Sequence, residues 1–461
     1  MSGTEAIAPW SEMSLDSTDA NRKDFLRRRH HVSAVLILVA ACALAMAIAR
    51  EQWLVTACAI AASILFLSPV AVALGLYVLI MPLDGLAIPG SEGTFTWLAG
   101  AFAGGVLLIY GLGSRRLRVP PPSTLFWGLF ALWSAGSVVW AINEEFANSQ
   151  FMTVIGLFGL YAVAAGLQFT ERELSLLSAF AIVGGSIAGA LLILQGPLPE
   201  TEQRATLAFS GQMLNPNQVA NGLLIPFVLG LAAFWSARGL IAKALPVAAL
   251  TVIGAGIFLT GSRGALLSLT VAMVSFVARA GSKKRLLIPL VALAVIMCFL
   301  PLSFFQRLRL AATDRGTGRL DIFVAGAQVV KHNPVLGTGL ANFQVAYEEY
   351  AGFAPIFRGY DRAAHNTYLE VCGETGFIGL GLFLIAIVVQ LRTSARVLAQ
   401  SFPRNYLLIA AEAGCYALLV YGFFGSVQWR KSFWLGWLLL AIFAKSAATA
   451  NEQHASSTRY S

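Results

Sequence analysis

A histidine close to two arginines is the combination of side chains in this sequence most able to do chemistry. Arg358, Arg362 and His365 fall within eight residues, in the segment from Arg319 to Gly379, the longest polar-rich interval of an otherwise hydrophobic chain. Histidine changes its charge near neutral pH, whereas arginine stays charged. A single histidine is more often structural than catalytic. Flanking arginines, in a long loop beside apolar helices, favour a functional role.

Two further arginines lie in short polar intervals between apolar runs. Arg204 is the only base of GPLPETEQRATLAFSGQMLNPNQVANGLL, in which Asn215-Pro-Asn217 is a turn or helix-start pattern. It is either part of a site or an incidental base of a solvated loop. Arg263, in Thr-Gly-Ser-Arg-Gly-Ala, has almost no loop to hold it. An arginine at membrane depth costs roughly 2.5–3.5 kcal/mol on insertion scales, so Arg263 either points into a polar cavity or snorkels to the lipid head groups.

The composition indicates a polytopic membrane protein. Hydrophobic residues make up 57% and charged residues 12% of 461 positions, with a mean hydropathy of +0.72; a soluble domain carries roughly 25% charged residues. The net charge of +9 comes from bases in loops between apolar runs, which the positive-inside rule explains without a nucleic-acid partner. The five cysteines lie in or beside apolar segments without framework spacing, so neither disulfides nor a zinc site is expected.

The apolar runs predict an all-α fold with twelve to fourteen transmembrane helices. The candidate runs are Val32–Ala49, Trp53–Phe66, Ala71–Leu83, Phe95–Leu112, Ser123–Ala141, Ser149–Leu167, Leu174–Leu194, Val219–Trp235, Ala244–Leu259, Ala265–Val277, Leu286–Phe304, Gly376–Leu391, Tyr406–Phe424 and Phe433–Ala444. The second and third are short and could be two tilted helices or one broken hairpin. We expect a basic cytoplasmic tail over 1–31, a single membrane domain over 32–447 and a cytoplasmic tail over 448–461.

The charges of the short loops predict which ends face the cytoplasm. With the N-terminus inside, thirteen bases fall in cytoplasmic loops and five in outside loops. The cytoplasmic bases are Arg115, Arg116, Arg118, Arg172, Arg238, Lys243, Arg279, Lys283, Lys284, Arg285, Arg392, Arg396 and Arg404; the outside ones are Arg50, Arg204, Arg263, Arg430 and Lys431. The loop 304–375 then lies outside. Arg430 and Lys431 go against the trend, so the last two helices are the least securely oriented.

The segment around His365 resembles the O-antigen ligase and polymerase family. The strings HNTYLE (365–370) and ETG (374–376) are similar to the signature of that family, in whose ligases a periplasmic histidine precedes a glycine by eleven positions, as His365 precedes Gly376. The upstream pattern from Arg319 through NPVLGTG (333–339) resembles the same family's lead-in, as do the Asn215-Pro-Asn217 and Arg263 motifs. The ordered motifs cover about residues 200–380. Ligases often carry a leucine four places after an arginine, whereas Arg204 is followed by Leu207 and Ala208. Ligase and polymerase both stay open.

The resemblance implies a GT-C-like glycosyltransferase of the bacterial inner membrane, with its active site in the periplasmic loop. The implied donor is a glycan on undecaprenyl diphosphate, and the implied acceptor is a hydroxyl of another glycan or of the lipid A core. His365 would be the general base, and the diphosphate would be held by arginines, which match phosphate oxygens. The implied ligands are Arg204, Arg263 and Arg319, with Asn217, Asn366, Glu374 and Gly376 in support. No metal or cofactor is expected, because the outward loops contain no Asp-x-Asp motif and arginines can neutralise the diphosphate charge.

A carrier of lipid-linked glycan is the alternative from another class of protein. Glu412, within LLIAAEAGCYALL, is the type of intramembrane acid that a carrier would use. A carrier has no need for a histidine and arginines in a loop on one face. The absence of an apparent internal repeat also disfavours an inverted-repeat transporter.

Overall fold

A computed structural model describes residues 69–85, 94–114, 116–198, 204–209, 212–281, 318–360, 362–401 and 404–457. The predicted N-terminal tail 1–31 and the apolar runs Val32–Ala49, Trp53–Phe66 and Leu286–Phe304 lie outside these ranges. The predicted tail 448–461 begins as helix, because the last helix continues without a break to Ser457.

The described chain is almost entirely helical, so the all-α prediction is confirmed. Its α-helices are α1 (Pro69–Ile80), α2 (Phe95–Ser114), α3 (Ser123–Gly136), α4 (Glu144–Gly166), α5 (Glu171–Gln195), α6 (Pro216–Gly222), α7 (Leu224–Ser236), α8 (Leu240–Leu259), α9 (Arg263–Ala280), α10 (Arg319–His332), α11 (Phe343–Tyr350), α12 (Thr367–Gln400), α13 (Tyr406–Tyr421) and α14 (Lys431–Ser457). Short 3₁₀ turns follow α1, α3 and α11 at Met81–Leu83, Ser137–Trp140 and Ala351–Phe353.

Nine helical segments within the described ranges are long and apolar enough to cross a membrane. They are Phe95–Ser114, Ser123–Trp140, Glu144–Gly166, Glu171–Gln195, Pro216–Ser236, Leu240–Leu259, Arg263–Ala280, Thr367–Gln400 and Lys431–Gln453. Val70–Leu83 and Tyr406–Tyr421 are shorter apolar helices. A multi-pass membrane protein follows from these segments.

The helix starts agree with capping chemistry in the sequence. Thr170 and Glu173 form a reciprocal capping box at the start of α5. Asn215 caps α6, as the Asn-Pro-Asn pattern predicts, and Ser262 caps α9 immediately before Arg263. These caps fix the ends of the helices at which the polar loops begin.

The centre of the bundle is formed by α7, α13 and α14, whose side chains are mostly buried. Helix α13 packs against α7, α9 and α14. On the periphery, α5 and α8 approach closely, since a Cβ at Gly189 would lie 2.6 Å from the carbonyl oxygen of Val252. Close approach through small residues is the usual way for helices to pack in lipid.

A buried glutamine joins four helices in the same core. The Gln390 side-chain oxygen accepts hydrogen bonds from the indole of Trp127 (2.6 Å) and the hydroxyl of Tyr161 (3.1 Å), and its amide donates to the carbonyl of Trp437 (2.6 Å). In lipid a polar side chain needs such partners. This hub ties α3, α4, α12 and α14 together.

Helix α12 corrects the predicted end of the long loop. The expected loop ended at residue 375 and the expected apolar helix began at Gly376, whereas helical structure starts at Thr367 and is interrupted at Gly376 (φ 66°, ψ −173°). Polar residues before the break obscure the helix in the sequence. The expected loop also contains two helices of its own, α10 and α11.

The turn 333–339 binds to the break in α12. The backbone N–H of Thr338 donates to the carbonyl of Gly373 (2.9 Å), and that of Gly339 donates to Glu374 (2.8 Å). The N–H of Phe377 donates to the carbonyl of Pro334 (2.7 Å). Backbone groups released by the break are therefore paired with the turn.

Two small pairs of strands lie between α5 and α6. Strand β1 (Pro197–Leu198) pairs antiparallel with β2 (Arg204–Ala205), and β3 (Ala208–Phe209) pairs antiparallel with β4 (Gln212–Met213). The paired strands hold the backbone of Arg204 at the end of the bundle where α5 ends and α6 begins.

Candidate active site

The first two polar segments meet at one end of the bundle. The Arg204 Nε donates to the carbonyl of Thr260 (2.7 Å), and its Nη2 donates to Oδ1 of Asn217 (2.5 Å). The backbone carbonyl of Asn217 in turn accepts a hydrogen bond from the Tyr421 hydroxyl (2.7 Å). Residues far apart in sequence are therefore held together at the ends of α6, α8 and α13.

Two arginines at helix starts lie near Phe424 at this end. Arg263 is the first residue of α9, and a Cβ on the adjacent Gly264 would lie 2.7 Å from Phe424. Arg319 is the first residue of α10, with its guanidinium carbon 6.0 Å from the centre of the Phe424 ring. Burial lowers the pKa of Arg319, and the nearby charge of Arg263 lowers it further, although Tyr421 acts in the opposite direction. Two cations so placed favour binding of an anion.

His365 lines a small cavity close to Arg319, one of the three arginines at this end (the arginine cluster: Arg204, Arg263 and Arg319). The cavity has a volume of about 170 Å³, and its lining includes Asn217, His365, Tyr421 and Phe424. Burial lowers the pKa of His365, and the charges of Arg319 and Arg362 lower it further. The neutral imidazole, which can accept a proton, is therefore favoured near neutral pH.

The backbone of His365 is held in an uncommon conformation. Its φ is +48°, in the left-handed region that non-glycine residues rarely adopt. Ala341, with φ +58°, is the other such non-glycine residue in the described part of the chain. Each lines a cavity at this end of the bundle. Strained backbone of this kind is typical of functional sites.

Hydrogen bonds on both sides of His365 maintain this conformation. The Asn366 side chain caps α12 by accepting from the backbone N–H groups of Tyr368 (3.0 Å) and Leu369 (3.1 Å). The N–H of Thr367 donates to the carbonyl of Gly422 (2.7 Å). The predicted supporting residue Asn366 thus sets where α12 begins, immediately after His365.

Glu370 holds the other side of His365. One carboxylate oxygen accepts from the N–H of Ala364 (3.3 Å) and from the Ser426 hydroxyl, and the other accepts from the Gln428 amide (2.8 Å). The motif that resembles the family contains Glu370, but sequence reasoning gave it no role. In the structure, Glu370 holds Ala364, the residue before His365, in position.

A second, larger cavity adjoins the first. It has a volume of about 810 Å³ and shares four lining residues with the smaller cavity. The shared residues are Asp84, Ala363, Ser426 and Arg430. The predicted supporting residue Glu374 lines the larger cavity, away from the arginine cluster, and is 4% exposed.

An ion pair between distant parts of the chain stands at the junction of the two cavities. The Lys431 ammonium donates to the Asp84 carboxylate (2.8 Å) and to the hydroxyls of Thr94 (3.1 Å) and Thr96 (2.9 Å). Sequence reasoning missed Asp84 altogether. It noted Arg430 and Lys431 only as exceptions to the loop-charge rule. That exception was the feature of the sequence that could have indicated a role for them.

The remaining predicted residues have structural surroundings. Gly376 forms the break in α12 and does not line either cavity. Arg358, which sequence analysis grouped with His365, binds the buried Asp321 carboxylate through Nη2 (2.9 Å) and so anchors the first turn of α10. Within the described ranges, no group of three or more His, Cys, Asp or Glu residues could hold a metal ion.

The fold and this site define a polytopic all-α membrane protein with an arginine-rich polar site at one end of its bundle. Residues 247–384 match the family model described as O-antigen ligase. The match confirms the resemblance to the O-antigen ligase and polymerase family over this segment. The matched segment contains Arg263, Arg319 and His365; Arg204 precedes it.

The family indicates a glycosyltransferase-like ligase or polymerase that acts on lipid-linked glycans in a membrane. No curated protein matches the chain.

Proposed function

We propose that the protein transfers a glycan from undecaprenyl diphosphate to a hydroxyl of an acceptor sugar, at the periplasmic face of the bacterial inner membrane. The acceptor is another glycan or the lipid A core. The observation that carries this proposal is the position of His365, whose surroundings favour the neutral imidazole, near Arg319 and in a cavity that is also lined by Asn217, the partner of Arg204. A proton acceptor next to an anion site is what transfer from a diphosphate ester requires.

The arginines provide the binding site for the leaving group. Arg263 and Arg319 bind the diphosphate oxygens, while Arg204, which Asn217 and the Thr260 carbonyl hold in place, contributes the third cation. Guanidinium groups fixed in position stabilise the charge that develops on a departing diphosphate. This arrangement supplies charge neutralisation without a metal ion.

His365 acts on the acceptor in a single displacement. The imidazole takes the proton of the acceptor hydroxyl as the oxygen forms a bond to the anomeric carbon of the donor sugar. The bond from that carbon to the diphosphate oxygen breaks, and its electron pair leaves on undecaprenyl diphosphate. The imidazolium then returns the proton to solvent. Atoms and charge balance, and no further reactant is needed.

The charge distribution of the bundle supports the proposed orientation. The loops at the end opposite His365 contain most of the bases, including Arg116, Arg118 and Arg238, which is typical of a cytoplasmic face. The loop 304–375 is then the periplasmic catalytic loop of a membrane domain that covers 32–447.

The chain offers a matched pair of histidines with which to test the mechanism. His365→Ala is expected to bind polyprenyl diphosphate as wild type does, because the arginines bind the leaving group, and to lose about 10²–10⁴-fold in transfer rate. His332→Ala is the control, since His332 is exposed in the same region, stacks on Tyr350 and lines neither cavity. Binding and transfer would both be measured on purified protein. Wild-type turnover in His365→Ala would end the general-base proposal.

A carrier function receives no support from Glu412. Its carboxylate is paired with the Arg279 guanidinium at 3.0 Å and accepts a hydrogen bond from the Tyr416 hydroxyl at 3.1 Å. These partners join α9 to α13, which a structural role explains. Transfer, rather than transport, is the function we propose.

A further inference from the structure

The larger cavity beside His365 has no role in the mechanism described above. Its volume of about 810 Å³ exceeds that of the cavity around His365 several-fold. Its walls include residues of α2, α4, α11, α12 and the segment 426–431, and none of the three arginines assigned to the diphosphate lines it. It therefore offers room for a ligand other than the diphosphate.

Two glutamine side chains in the walls of this cavity are able to reach a ligand. Gln150 and Gln344 both line it, and each is half-buried rather than fully enclosed. A side-chain amide offers two N–H donors and a carbonyl acceptor. These two residues can therefore bind a ligand that carries hydroxyl groups.

The chemistry of the walls fits sugars better than lipid tails. The side-chain amides of Gln150 and Gln344, which both donate and accept hydrogen bonds, and the hydroxyl of Ser149 occur together around one space. Sugar hydroxyls both donate and accept hydrogen bonds. The exposed face of Trp97 adds an apolar surface of the kind that amphipathic ligands contact.

The positions of the two cavities and the arginine cluster distinguish the acceptor-binding site from the donor-binding site. The partners of Arg204 and Arg319, namely Asn217 and Phe424, line the small cavity, which joins the large cavity through Asp84 and Arg430. The small cavity, which His365 lines, therefore adjoins both the partners of these arginines and the large cavity. In a displacement, the hydroxyl approaches the anomeric carbon from the side opposite the leaving diphosphate.

We propose that the large cavity binds the terminal sugars of the acceptor glycan and that the side-chain amides of Gln150 and Gln344 form hydrogen bonds with their hydroxyls. This inference rests on the proposed transferase function. The bound sugars present one hydroxyl through the passage at Asp84 and Arg430, where His365 takes its proton. The residues of this cavity therefore determine which acceptor is used.

The test separates binding of the acceptor from binding of the donor. Purified protein would receive undecaprenyl-diphosphate-linked glycan from the source bacterium as donor. Lipid A–core and the glycan released from that donor would serve as alternative acceptor probes. Gln344→Ala, which removes one hydrogen-bonding group far from His365, is expected to raise the acceptor KM about 3–10-fold. Thr153→Trp, which fills the cavity from α4, is expected to raise it by at least about tenfold, with donor KM unchanged in both variants.

A control on the same helix isolates the effect of the cavity. Ile155 lies on α4, is exposed and does not line the cavity, so Ile155→Trp adds the same side chain outside it and is expected to keep wild-type kinetics. An unchanged acceptor KM in Thr153→Trp, with wild-type transfer intact, would overturn the inference and leave the transferase function standing. A raised donor KM would also overturn it, because the cavity would then hold the donor glycan. Failure of wild-type protein to transfer to either acceptor would instead count against the proposed function.

Discussion

The two ends of the bundle place their cations differently. At the end opposite His365, Lys445 donates to the carbonyls of Ala165 (3.0 Å) and Gly166 (2.9 Å), and Arg404 donates to the carbonyl of Ala280. These carbonyls end α4 and α9, where the helix dipole favours a cation. Those side chains stabilise the helices they contact.

At the His365 end, Arg204 likewise donates to a carbonyl at a helix end, that of Thr260 after α8, but two other cations stand at helix starts. Arg263 and Arg319 are the first residues of α9 and α10, where the dipole disfavours a positive charge by about 0.3–1 kcal/mol each. At such a helix start, the free backbone N–H groups and the guanidinium of the arginine both attract an anion. The cations at the opposite end stabilise the helices that they contact, whereas Arg263 and Arg319 stand where the helix dipole opposes them, as the proposed anion-binding role requires.

The largest expected difference between the ends is their side of the membrane. A reporter that is active only in the periplasm is expected to be active when fused near residue 350 and inactive near residues 117, 240 and 398, because bases concentrate around the last three. Enzyme activity of such fusions in intact cells is the measurement. Activity at 117 or 398 would reverse the orientation and contradict a periplasmic site.

The next largest effect concerns the arginines at helix starts. Arg263→Ala and Arg319→Ala are each expected to lower kcat/KM by about 10²–10³-fold or more, because each removes a cation from the leaving group. Lysine at either position is expected to recover little, since an ammonium cannot reproduce the two-point contact of a guanidinium.

Arg404 at the opposite end is the matched control for those variants. Arg404→Ala is expected to lower stability by about 1 kcal/mol through loss of its bond to Ala280, while the rate per folded molecule stays at the wild-type value. Transfer assays would be paired with thermal unfolding in detergent. Equal losses of rate at both ends would show that the two sets of cations do not differ in function.

A third, smaller effect concerns the backbone that supports the site. A Cβ at Gly376 would lie 2.0 Å from the carbonyl oxygen of Val335, and its φ of +66° suits glycine alone. Gly376→Ala is expected to lower the free energy of unfolding by about 1–3 kcal/mol or more, and to reduce activity by displacing Glu374 and the turn 333–339. Thermal unfolding of the purified variants would measure it.

Gly381 provides the control on the same helix. A Cβ there meets nothing within 4 Å, so Gly381→Ala is expected to leave stability unchanged or to raise it by about 0.5–1 kcal/mol. A similar loss in both variants would mean that the break at Gly376 is not the cause.

Much of the fold could be predicted because its signal is local. Apolar runs, caps such as Ser262 and the Asn215 pattern each depend on neighbouring residues. The start of α12 was missed because Glu370 and Glu374 make its first turns resemble a loop, and their burial depends on contacts with distant segments.

The sequence was sufficient to predict which charged residues form the candidate site. It was not sufficient to predict which other residues contact them. Arg204, Arg263, Arg319 and His365 stood out as charged or titratable groups between apolar runs. Tyr421 and Phe424, which connect them, lie in or beside α13 and look like ordinary residues of an apolar segment. Arg430 and Lys431 carried a signal, since bases that break the loop-charge rule need another reason to be where they are.

The smallest expected effect is on the pH dependence of transfer. The pKa of His365 is lowered by burial first, then by Arg319 and Arg362. A general base must be neutral, so kcat/KM is expected to fall on acidification only below the ordinary titration range of histidine. Removing one positive charge raises the pKa, so Arg362→Gln is expected to move the acid limb slightly towards higher pH. The effect is small because Arg362 is exposed and screened by salt.

Two variants make this last measurement specific to charge. Arg362→Lys keeps the cation and is expected to keep the wild-type limb. Lys331→Gln removes an exposed charge from α10 that does not influence His365, and is expected to do the same. Raising the ionic strength is expected to bring the wild-type profile towards that of Arg362→Gln, because screening weakens the same repulsion. Two results would contradict this explanation. The acidic limb of the kcat/KM profile would move to lower pH in Arg362→Gln, or it would move as far in Arg362→Lys as in Arg362→Gln. Either result would show that the group that titrates is not His365 under the influence of these arginine charges.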